Sequence, residues 1–418
     1  MIRIKKLSRC ELHTFMLVFL TSSFTIVNDV FSSIVTIGLW LILAFSLLIS
    51  IPEKRINISE NPIGVMVLLT IVFLASGLIN NQTTLTILKN LFSLLTLWLF
   101  VINYDLKDAL SAFLKIVYLI AAISIPMYFV AMFQPAFFNQ FLANGTNGRV
   151  YYNFVVFNHI VGVNRNCGMF WEPGAYSSFL CLAILIWIAH YDADYKNDYK
   201  KIIILLIALF STFSTTGYLC FALIILIYLS VKKRNKMEKI LVITLIIGVI
   251  IFVLPSYYPR FIGSDSEVFG KIYNFNQYRN DYLNGTFNSS VSIRLFSITM
   301  PFDIFLKNPI LGVGHDNLVE MTSRFTRGSI TCTFINWFAI YGILYGIIMI
   351  LGYMKLAKQI QSNKVVKALL FITLLMIICT EDFSQNAVYT GLAVYGYKAV
   401  VDNQTEGKAI PNEPIVAG

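Results

Sequence analysis

Charged side chains are scarce in this sequence. Asp, Glu, Lys and Arg make up 13% of the 418 residues, and hydrophobic residues make up 57%. The mean hydropathy is +0.71. This composition excludes a soluble enzyme with one apolar core, because too few polar side chains remain to cover its surface. It predicts an integral membrane protein that crosses the bilayer many times.

Cysteine is also rare. The six cysteines are scattered and form no C-x-x-C pair, which argues against a disulfide framework and against a cysteine-bound metal. Cys167 and Cys332 are the two expected outside the cytoplasm, so a bridge between them is the pairing left open. The single Asp-x-Asp, Asp192 to Asp194, lies in a short inner loop and is typical of a solvated turn. We therefore expect no metal and no other cofactor.

Apolar runs of bilayer-crossing length follow one another along the chain. They predict an all-α integral membrane protein with about twelve transmembrane helices, both termini in the cytoplasm, and two large outer loops with short helices. The single predicted helices cover about 12–27, 31–51, 63–79, 85–102, 112–133, 175–190, 240–254, 331–353, 368–380 and 387–400. In the run 202–231, the polar stretch 211–217 predicts two short helices that meet at a break.

The predicted spans divide the chain into six segments. They are 1–134 with helices one to five, 135–174 as the first large outer loop, 175–254 with helices six to nine, 255–329 as the second large outer loop, 330–401 with the last three helices, and 402–418 as a cytoplasmic tail.

The basic residues set the predicted orientation. About two thirds of the 32 lysines and arginines fall in inner segments, as the positive-inside rule requires. The outer ones are mostly arginine, whose planar fork binds phosphate through two parallel hydrogen bonds. The alternative is that these arginines pair with outer acids or phospholipid head groups. The net charge of +10 thus indicates membrane topology and a phosphate-bearing substrate, and nucleic acid is not an expected partner.

One stretch, Asn164 to Phe179, places a cation and an anion at the entrance of an apolar helix. Arg165 lies in the approach to the helix, and Glu172 stands where the positive end of the helix dipole favours an acid. Pro173 suits the first helical turn, because its missing N–H has no partner there in any case. Charged residues at a membrane boundary that are not simple anchors indicate a functional site.

The second outer segment has its own pattern. Arg294 precedes a predicted helix over 295–306. Gly312 and Gly314 then permit a sharp turn or a close backbone approach, and His315 follows directly. The glycine pair lacks a preceding strand and a third glycine, so it is not a dinucleotide-binding fingerprint.

Together these patterns resemble the superfamily of O-antigen polymerases and O-antigen ligases. The resemblance rests on Arg165-x-x-Gly168-x-Phe170-x-Glu172-Pro173-Gly174, on Ser214-Thr215-Thr216-Gly217, on Ser290-x-x-x-Arg294 and on Asn308-Pro309-x-x-Gly312-x-Gly314. Order and spacing agree from about helix five to helix ten. The resemblance implies a glycosyltransferase of the bacterial inner membrane whose two large outer loops are periplasmic and whose active site faces the periplasm. Its substrate would be an oligosaccharide on undecaprenyl pyrophosphate, and a chain-length regulator protein is an implied partner.

Members of this superfamily differ in the acceptor. A polymerase moves the growing glycan onto a new lipid-linked repeat unit, whereas a ligase moves it onto lipid A core. The ligases carry a histidine in the approach to the tenth helix, and 328–333 contains none here, which favours a polymerase. A polysaccharide transporter or flippase is the alternative of another class. It is less favoured, because transporters usually place their charges near the bilayer midplane and often show two related halves.

The expected chemistry assigns roles to individual residues. Breaking a glycosyl–pyrophosphate bond requires stabilisation of the negative leaving group, so Arg165 and Arg294 are the predicted pyrophosphate ligands. Glu172 and His315 are the predicted catalytic residues that orient or deprotonate the acceptor hydroxyl. The alternative roles of Glu172 are a helix N-terminal charge and a partner of Arg165. Further substrate contacts are predicted at Arg260, Arg279, Arg324 and His159.

Overall fold

The computed structural model describes residues 7–22, 33–51, 61–145, 149–154, 156–190, 195–231, 290–326, 330–361 and 363–398. This part of the chain is mostly helical. Its helices, in chain order, are α1 (Arg9–Thr21), α2 (Ser33–Ser50), α3 (Ile63–Ile79), α4 (Thr84–Asn103), α5 (Leu106–Phe133), α6 (Pro135–Phe138), α7 (Pro173–His190), α8 (Tyr195–Ser211), α9 (Thr215–Val231), α10 (Ser290–Lys307), α11 (His315–Thr326), α12 (Thr333–Tyr341), α13 (Ile343–Ile360), α14 (Lys364–Ile378) and α15 (Ala387–Tyr395).

The apolar helices support a membrane protein. By length and composition, α4, α5 and α13 are each able to cross a bilayer, and α2, α3, α7 and α9 contain shorter apolar helices. The predicted break within 202–231 is confirmed, because α8 ends at Ser211 and α9 begins at Thr215. The predicted helix over 240–254 lies outside the described residues. Twelve crossings and the cytoplasmic termini stay predictions.

Helix α7 lies in the interior of the helical bundle. Its sequence is apolar on all sides, and a helix of that kind is buried on all sides. Every side chain from Pro173 to Trp187 is buried, and α7 packs against α5, α8, α9 and α14. Buried hydroxyls bond to nearby carbonyl groups: Ser178 Oγ, for example, donates to the Ile377 carbonyl oxygen at 3.1 Å. The start of α7 is therefore held from several sides.

A small antiparallel sheet lies in the first predicted outer loop, where the sequence predicted a loop with short helices. Its strands are β1 (Leu142–Asn144), β2 (Val150–Phe154) and β3 (Phe157–Ile160), in the order β1-β2-β3. Tyr152 and Phe157 are buried together with Tyr128 of α5 and Phe138 of α6. The aromatic side chains of these short strands thus fasten the sheet to the end of α5.

The structure differs from the predicted single helix over 331–353, because α12 ends at Tyr341 and α13 begins at Ile343. Gly342 separates them with φ 83° and ψ −177°, a backbone conformation that is essentially restricted to glycine. Ile343 N donates to the Pro309 carbonyl oxygen at 2.8 Å. The break therefore lets a neighbouring turn approach the backbone between the two helices.

Gly342→Ala is expected to destabilise the protein by about 1–3 kcal/mol. The new Cβ would adopt an unfavourable backbone conformation and overlap the Ile310 carbonyl group. Gly38→Ala in α2 is the matched control, since a Cβ there meets no atom within 4 Å. Thermal unfolding in detergent should show a lower midpoint for Gly342→Ala alone. Equal midpoints for the two variants would refute the role given to Gly342.

Candidate functional site

The loop that precedes α7 is anchored on the break between α8 and α9. Arg165 Nε donates to the Thr212 carbonyl oxygen at 3.0 Å, and Asn166 N donates to the Ser211 carbonyl oxygen at 2.9 Å. Asn166 Nδ2 also donates to Ser211 Oγ at 3.0 Å. The last carbonyl groups of a helix have no partner inside that helix. The loop supplies donors for them, and in return the break holds Arg165 in place.

Gly168 and Phe170 determine the path of the loop from Arg165 to α7. Gly168 has φ 57°, and a Cβ on it would overlap the Tyr176 ring. The Phe170 ring stacks on Tyr176 with 5.6 Å between centroids, and Tyr176 Oη lies 2.8 Å from Ser124 Oγ. Both motif residues therefore act by packing against α7.

Glu172 stands at the entrance of α7, as predicted from the sequence. Its Oε1 accepts a hydrogen bond from Arg149 Nη1 at 2.5 Å. Arg149 directly precedes β2, so the unpredicted sheet brings this arginine to the helix entrance. The partner of Glu172 is therefore Arg149, and Arg165 forms no ion pair within the described part of the chain. Because 46% of the Arg149 side chain is exposed, solvent screens the pair and its contribution to stability is small.

The segment 379–386, here called the acidic loop, joins α14 to α15 and carries two neighbouring acids. The first, Glu381, is buried, and its carboxylate lies against Gly174, where a Cβ would overlap Oε1. Thr333 Oγ1 donates to the Glu381 carbonyl oxygen at 2.9 Å and accepts from Phe383 N at 2.7 Å. The acidic loop is therefore bonded to the start of α12 and packed on the start of α7.

The second acid, Asp382, contacts His315 at the start of α11. His315 Nε2 lies 3.5 Å from Asp382 Oδ2, and His315 Nδ1 lies 3.5 Å from Asp316 Oδ1. Asp382 Oδ1 also accepts hydrogen bonds from Asn336 Nδ2 at 3.1 Å and from Ser384 N at 3.0 Å. These bonds fix the carboxylate that faces the imidazole.

The two carboxylates determine the charge of His315. Burial opposes the imidazolium, but hydrogen bonds and charge attraction from Asp316 and Asp382 outweigh it and raise the pKa of His315 to about 9. The same hydrogen bond from His315 holds the pKa of Asp316 below its usual range. His315 is therefore mostly protonated at neutral pH. That state suits a group that stabilises negative charge or donates a proton.

A glycine turn positions His315. Gly312 and Gly314 have φ of 63° and 78°, and Gly314 N donates to the Ile340 carbonyl oxygen at 3.0 Å. A Cβ on Gly312 would overlap the backbone of Ile340. The close backbone approach that the glycine pair predicted is therefore confirmed, and the surface approached is the end of α12.

Gly174→Ala is expected to destabilise the protein by about 1–3 kcal/mol and to displace Glu381, because the new Cβ would overlap its carboxylate. Gly64→Ala is a closely matched control. Gly64 is also the second residue of its helix, α3, and a Cβ there meets no atom within 4 Å. Thermal unfolding should separate the two variants. A Gly174→Ala protein as stable and as active as the control would contradict the observed contact.

Four further arginines are predicted substrate contacts in the second outer segment. Arg294 lies in the second turn of α10, about 20 Å along that helix from its end at Lys307, and the glycine turn follows that end. Because α10 packs against α11 and α12, a substrate that touches Arg294 and His315 must extend along α10. Arg324 lies in the last turn of α11. The side chains of these two arginines, and all of Arg260 and Arg279, lie outside the described structure.

His159 lies in β3, among the aromatic side chains of the sheet. Its ring stacks on Tyr152, with 6.2 Å between centroids, and on Phe157, with 6.1 Å. Burial lowers the pKa of His159 to about 4. His159 is therefore neutral at neutral pH and is packed in the sheet, whereas His315 is charged.

Sequence reasoning left Asp382 and Glu381 out of the predicted site. They are the only two acids in 364–400, a stretch that otherwise reads as two apolar helices. Adjacent acids at the end of an apolar helix are costly to bury unless they are paired. That isolation is the signal that could have identified them.

Fold and site together define a helical membrane protein with a charged site formed by loops at the ends of several helices. The family model described as O-antigen ligase matches residues 202–331. The matched stretch includes the α8–α9 break, the start of α10 and the glycine turn, and Arg165 precedes it. The match confirms the resemblance to the O-antigen polymerase and ligase superfamily, whose members are glycosyltransferase-like enzymes of O-antigen processing. No match was found among curated proteins.

Proposed function

We propose that this protein is a surface-polysaccharide polymerase of the bacterial inner membrane. It would transfer a growing glycan from undecaprenyl pyrophosphate to a new lipid-linked repeat unit at the periplasmic face, without a metal. A chain-length regulator protein is its proposed partner. The proposal rests on the family match and on the residues that the acidic loop brings together.

The central observation is that adjacent residues of the acidic loop contact both outer motifs. Glu381 packs on Gly174 at the start of α7, and Asp382 contacts His315 at the start of α11. Consecutive Cα atoms are about 3.8 Å apart, so the start of α7 and the start of α11 meet the same short loop although they are far apart in sequence, which supports one shared site. One lipid-linked donor can therefore meet groups from both motifs.

In the proposed reaction, the acceptor hydroxyl oxygen bonds to the anomeric carbon of the donor glycan. The bond from that carbon to the pyrophosphate oxygen breaks, and undecaprenyl pyrophosphate leaves with the electron pair. The hydroxyl proton passes to a carboxylate, for which Glu172 is the proposed acceptor. Because Arg149 bonds only one oxygen of Glu172 in the described structure, the other oxygen is the proposed proton acceptor.

Arg165 is the proposed pyrophosphate ligand nearest to α7. Its Nε is held by the Thr212 carbonyl oxygen, and its Nη groups form no hydrogen bond to any described residue. A guanidinium with a fixed orientation loses little entropy when its fork binds a phosphate oxygen pair. Protonated His315 supplies a second positive charge, and Arg294 is the proposed third, further along α10.

The absence of a histidine in 328–333 favours the polymerase, whereas the description of the matching family, O-antigen ligase, favours a ligase. The two differ only in the acceptor, so the site described above serves either reaction. A transporter of lipid-linked glycans would instead move the donor without breaking its glycosyl bond.

The decisive test uses purified protein in nanodiscs with lipid-linked repeat units extracted from a host that lacks this chain. Such units carry the native sugars. A ladder of lengthened lipid-linked glycans, formed with a chelator present, is the expected result. Transfer that occurs only after lipid A core is added would identify a ligase. Donor that binds but is never cleaved under either condition would contradict a glycosyltransferase and favour a transporter.

A further inference from the structure

Two cysteine thiols meet where the acidic loop begins. Cys332 Sγ lies 3.4 Å from Cys379 Sγ. Cys332 is the N-cap of α12, and Cys379 follows the last residue of α14. The bridge between Cys167 and Cys332 that the sequence left open is not formed. Cys167 is buried elsewhere, with its Sγ 3.7 Å from the Arg165 carbonyl oxygen.

The surrounding structure holds these two thiols together. Cys332 has φ 69°, a left-handed conformation that is uncommon for a residue with a side chain. Such a conformation persists only where neighbouring contacts impose it. Thr333, the next residue, forms two hydrogen bonds to the acidic loop through its Oγ1. These hydrogen bonds hold the start of α12 beside the acidic loop at the point where the sulfur atoms meet.

We propose that Cys332 and Cys379 are a site of covalent modification, at which a disulfide fastens the acidic loop to the start of α12. A disulfide needs its sulfur atoms about 2.05 Å apart, so the approach required is little more than about 1 Å.

The oxidant is the disulfide of a protein thiol–disulfide exchanger in an oxidising compartment. Cys332 thiolate attacks that disulfide, forms a mixed disulfide and releases one exchanger sulfur as a thiolate. Cys379 thiolate then attacks Cys332 Sγ, closes the bridge and releases the second exchanger sulfur. The two electrons and the two protons lost by the cysteine pair end on the two exchanger thiols. Because Cys332 is buried, the exchange precedes the final packing of the acidic loop.

The bridge links residues 47 positions apart. Closing a loop of that length restricts the unfolded chain and so favours the folded one. It also limits the movement of Glu381 and Asp382, which start two residues beyond Cys379. Oxidation thus preserves the contacts of the acidic loop with Gly174 and with His315.

Thiol counting tests the proposal. Membranes are isolated without reductant, free thiols are blocked with N-ethylmaleimide during lysis, and the denatured protein is analysed by intact mass. The wild type has six cysteines, and four blocked thiols are expected, rising to six when reductant precedes blocking. Peptide mapping should find Cys332 and Cys379 in one crosslinked species. Six blocked thiols without reductant would overturn the proposal.

Serine variants identify the pair. In Cys332→Ser and in Cys379→Ser, all five remaining thiols should react with N-ethylmaleimide without reductant. In Cys167→Ser, the matched control, three thiols should react without reductant and five after reduction. Reductant should lower the unfolding temperature of the wild type and of Cys167→Ser, but leave that of Cys332→Ser unchanged. A Cys332→Ser protein that still lacks two reactive thiols would assign the bridge to another pair and reject this one.

Discussion

Arg165→Ala is expected to reduce glycan transfer about 10²–10³-fold, the usual loss when one fixed donor to a developing negative charge is removed. The guanidinium is oriented by the Thr212 carbonyl oxygen, 3.0 Å from Nε, so its fork already faces one direction before the donor binds. Alanine removes that charge and the bidentate bond together. Single-turnover transfer from the lipid-linked donor should show the loss directly.

Three controls separate catalysis from anchoring. Lys358→Ala removes an exposed positive charge in the last turn of α13 and should leave the transfer rate unchanged. Arg165→Lys keeps the charge but lacks the planar fork, and it should remain well below the wild-type rate. Donor binding and the unfolding midpoint of Arg165→Ala complete the set. Phosphate recognition by Arg165 would be rejected if Arg165→Ala lost enough stability to account for its loss of activity. It would also be rejected if Arg165→Lys were fully active.

Local sequence patterns predicted much of the fold. Ile63–Ile79 was predicted as a helix with the bounds that the structure has, because its apolar run ends abruptly in polar residues. The polar break near Ser214 and the turn at Gly312 and Gly314 were also predictable. In the first case polar residues interrupt an apolar helical run, and in the second case glycines permit a turn that other residues rarely adopt.

What the sequence did not reveal depends on contacts between distant segments. Glu381 and Gly174 are about two hundred positions apart, and no local pattern specifies that one packs on the other. Gly342 reads as a tolerated glycine in an apolar helix until Pro309 is seen to bond the following residue. The strands β1 to β3 are too short for alternation to be recognised, and aromatic packing against α5 stabilises them.

The residues of the candidate site also divide into those that local sequence patterns predict and those that depend on contacts between distant segments. Arg165 and Glu172 were identified because charge at a membrane boundary is unusual, and His315 because it follows the glycine turn and a histidine can deprotonate a hydroxyl. Their partners, Thr212, Arg149 and the acidic loop, required the structure. The partners also change the chemistry, because two carboxylates turn His315 from a candidate base into a group that is cationic at neutral pH.

His315→Gln is expected to lower transfer at neutral pH about 10²-fold, because it removes the positive charge that the acidic loop maintains beside the leaving group. The wild-type rate should be steady between about pH 6.5 and pH 8 and should fall as pH rises through about 9, where His315 loses its proton. A pH–rate profile of the wild type and the variant measures both effects. The alkaline fall should be absent from His315→Gln.

The stability of the wild type should also depend on the protonation of His315. The folded pKa of His315 is raised from 6.5 to about 9, so the folded state binds this proton more tightly than the unfolded chain does. The stabilisation is complete below about pH 6.5 and is lost as pH rises through about 9. Unfolding midpoints measured across this range should decline for the wild type and stay level for His315→Gln.

Asp382→Asn tests the charge of the Asp382–His315 pair separately from the hydrogen bonds that Asp382 accepts. Asparagine can still accept the bonds from Asn336 and Ser384 through Oδ1, but it removes the charge that faces His315. The alkaline fall in transfer rate should therefore move to lower pH. Asp316→Asn should move it less, because 43% of the Asp316 side chain is exposed against 17% for Asp382, and solvent screens the more exposed charge. An unchanged profile in Asp382→Asn would mean that His315 does not control the reaction through its charge.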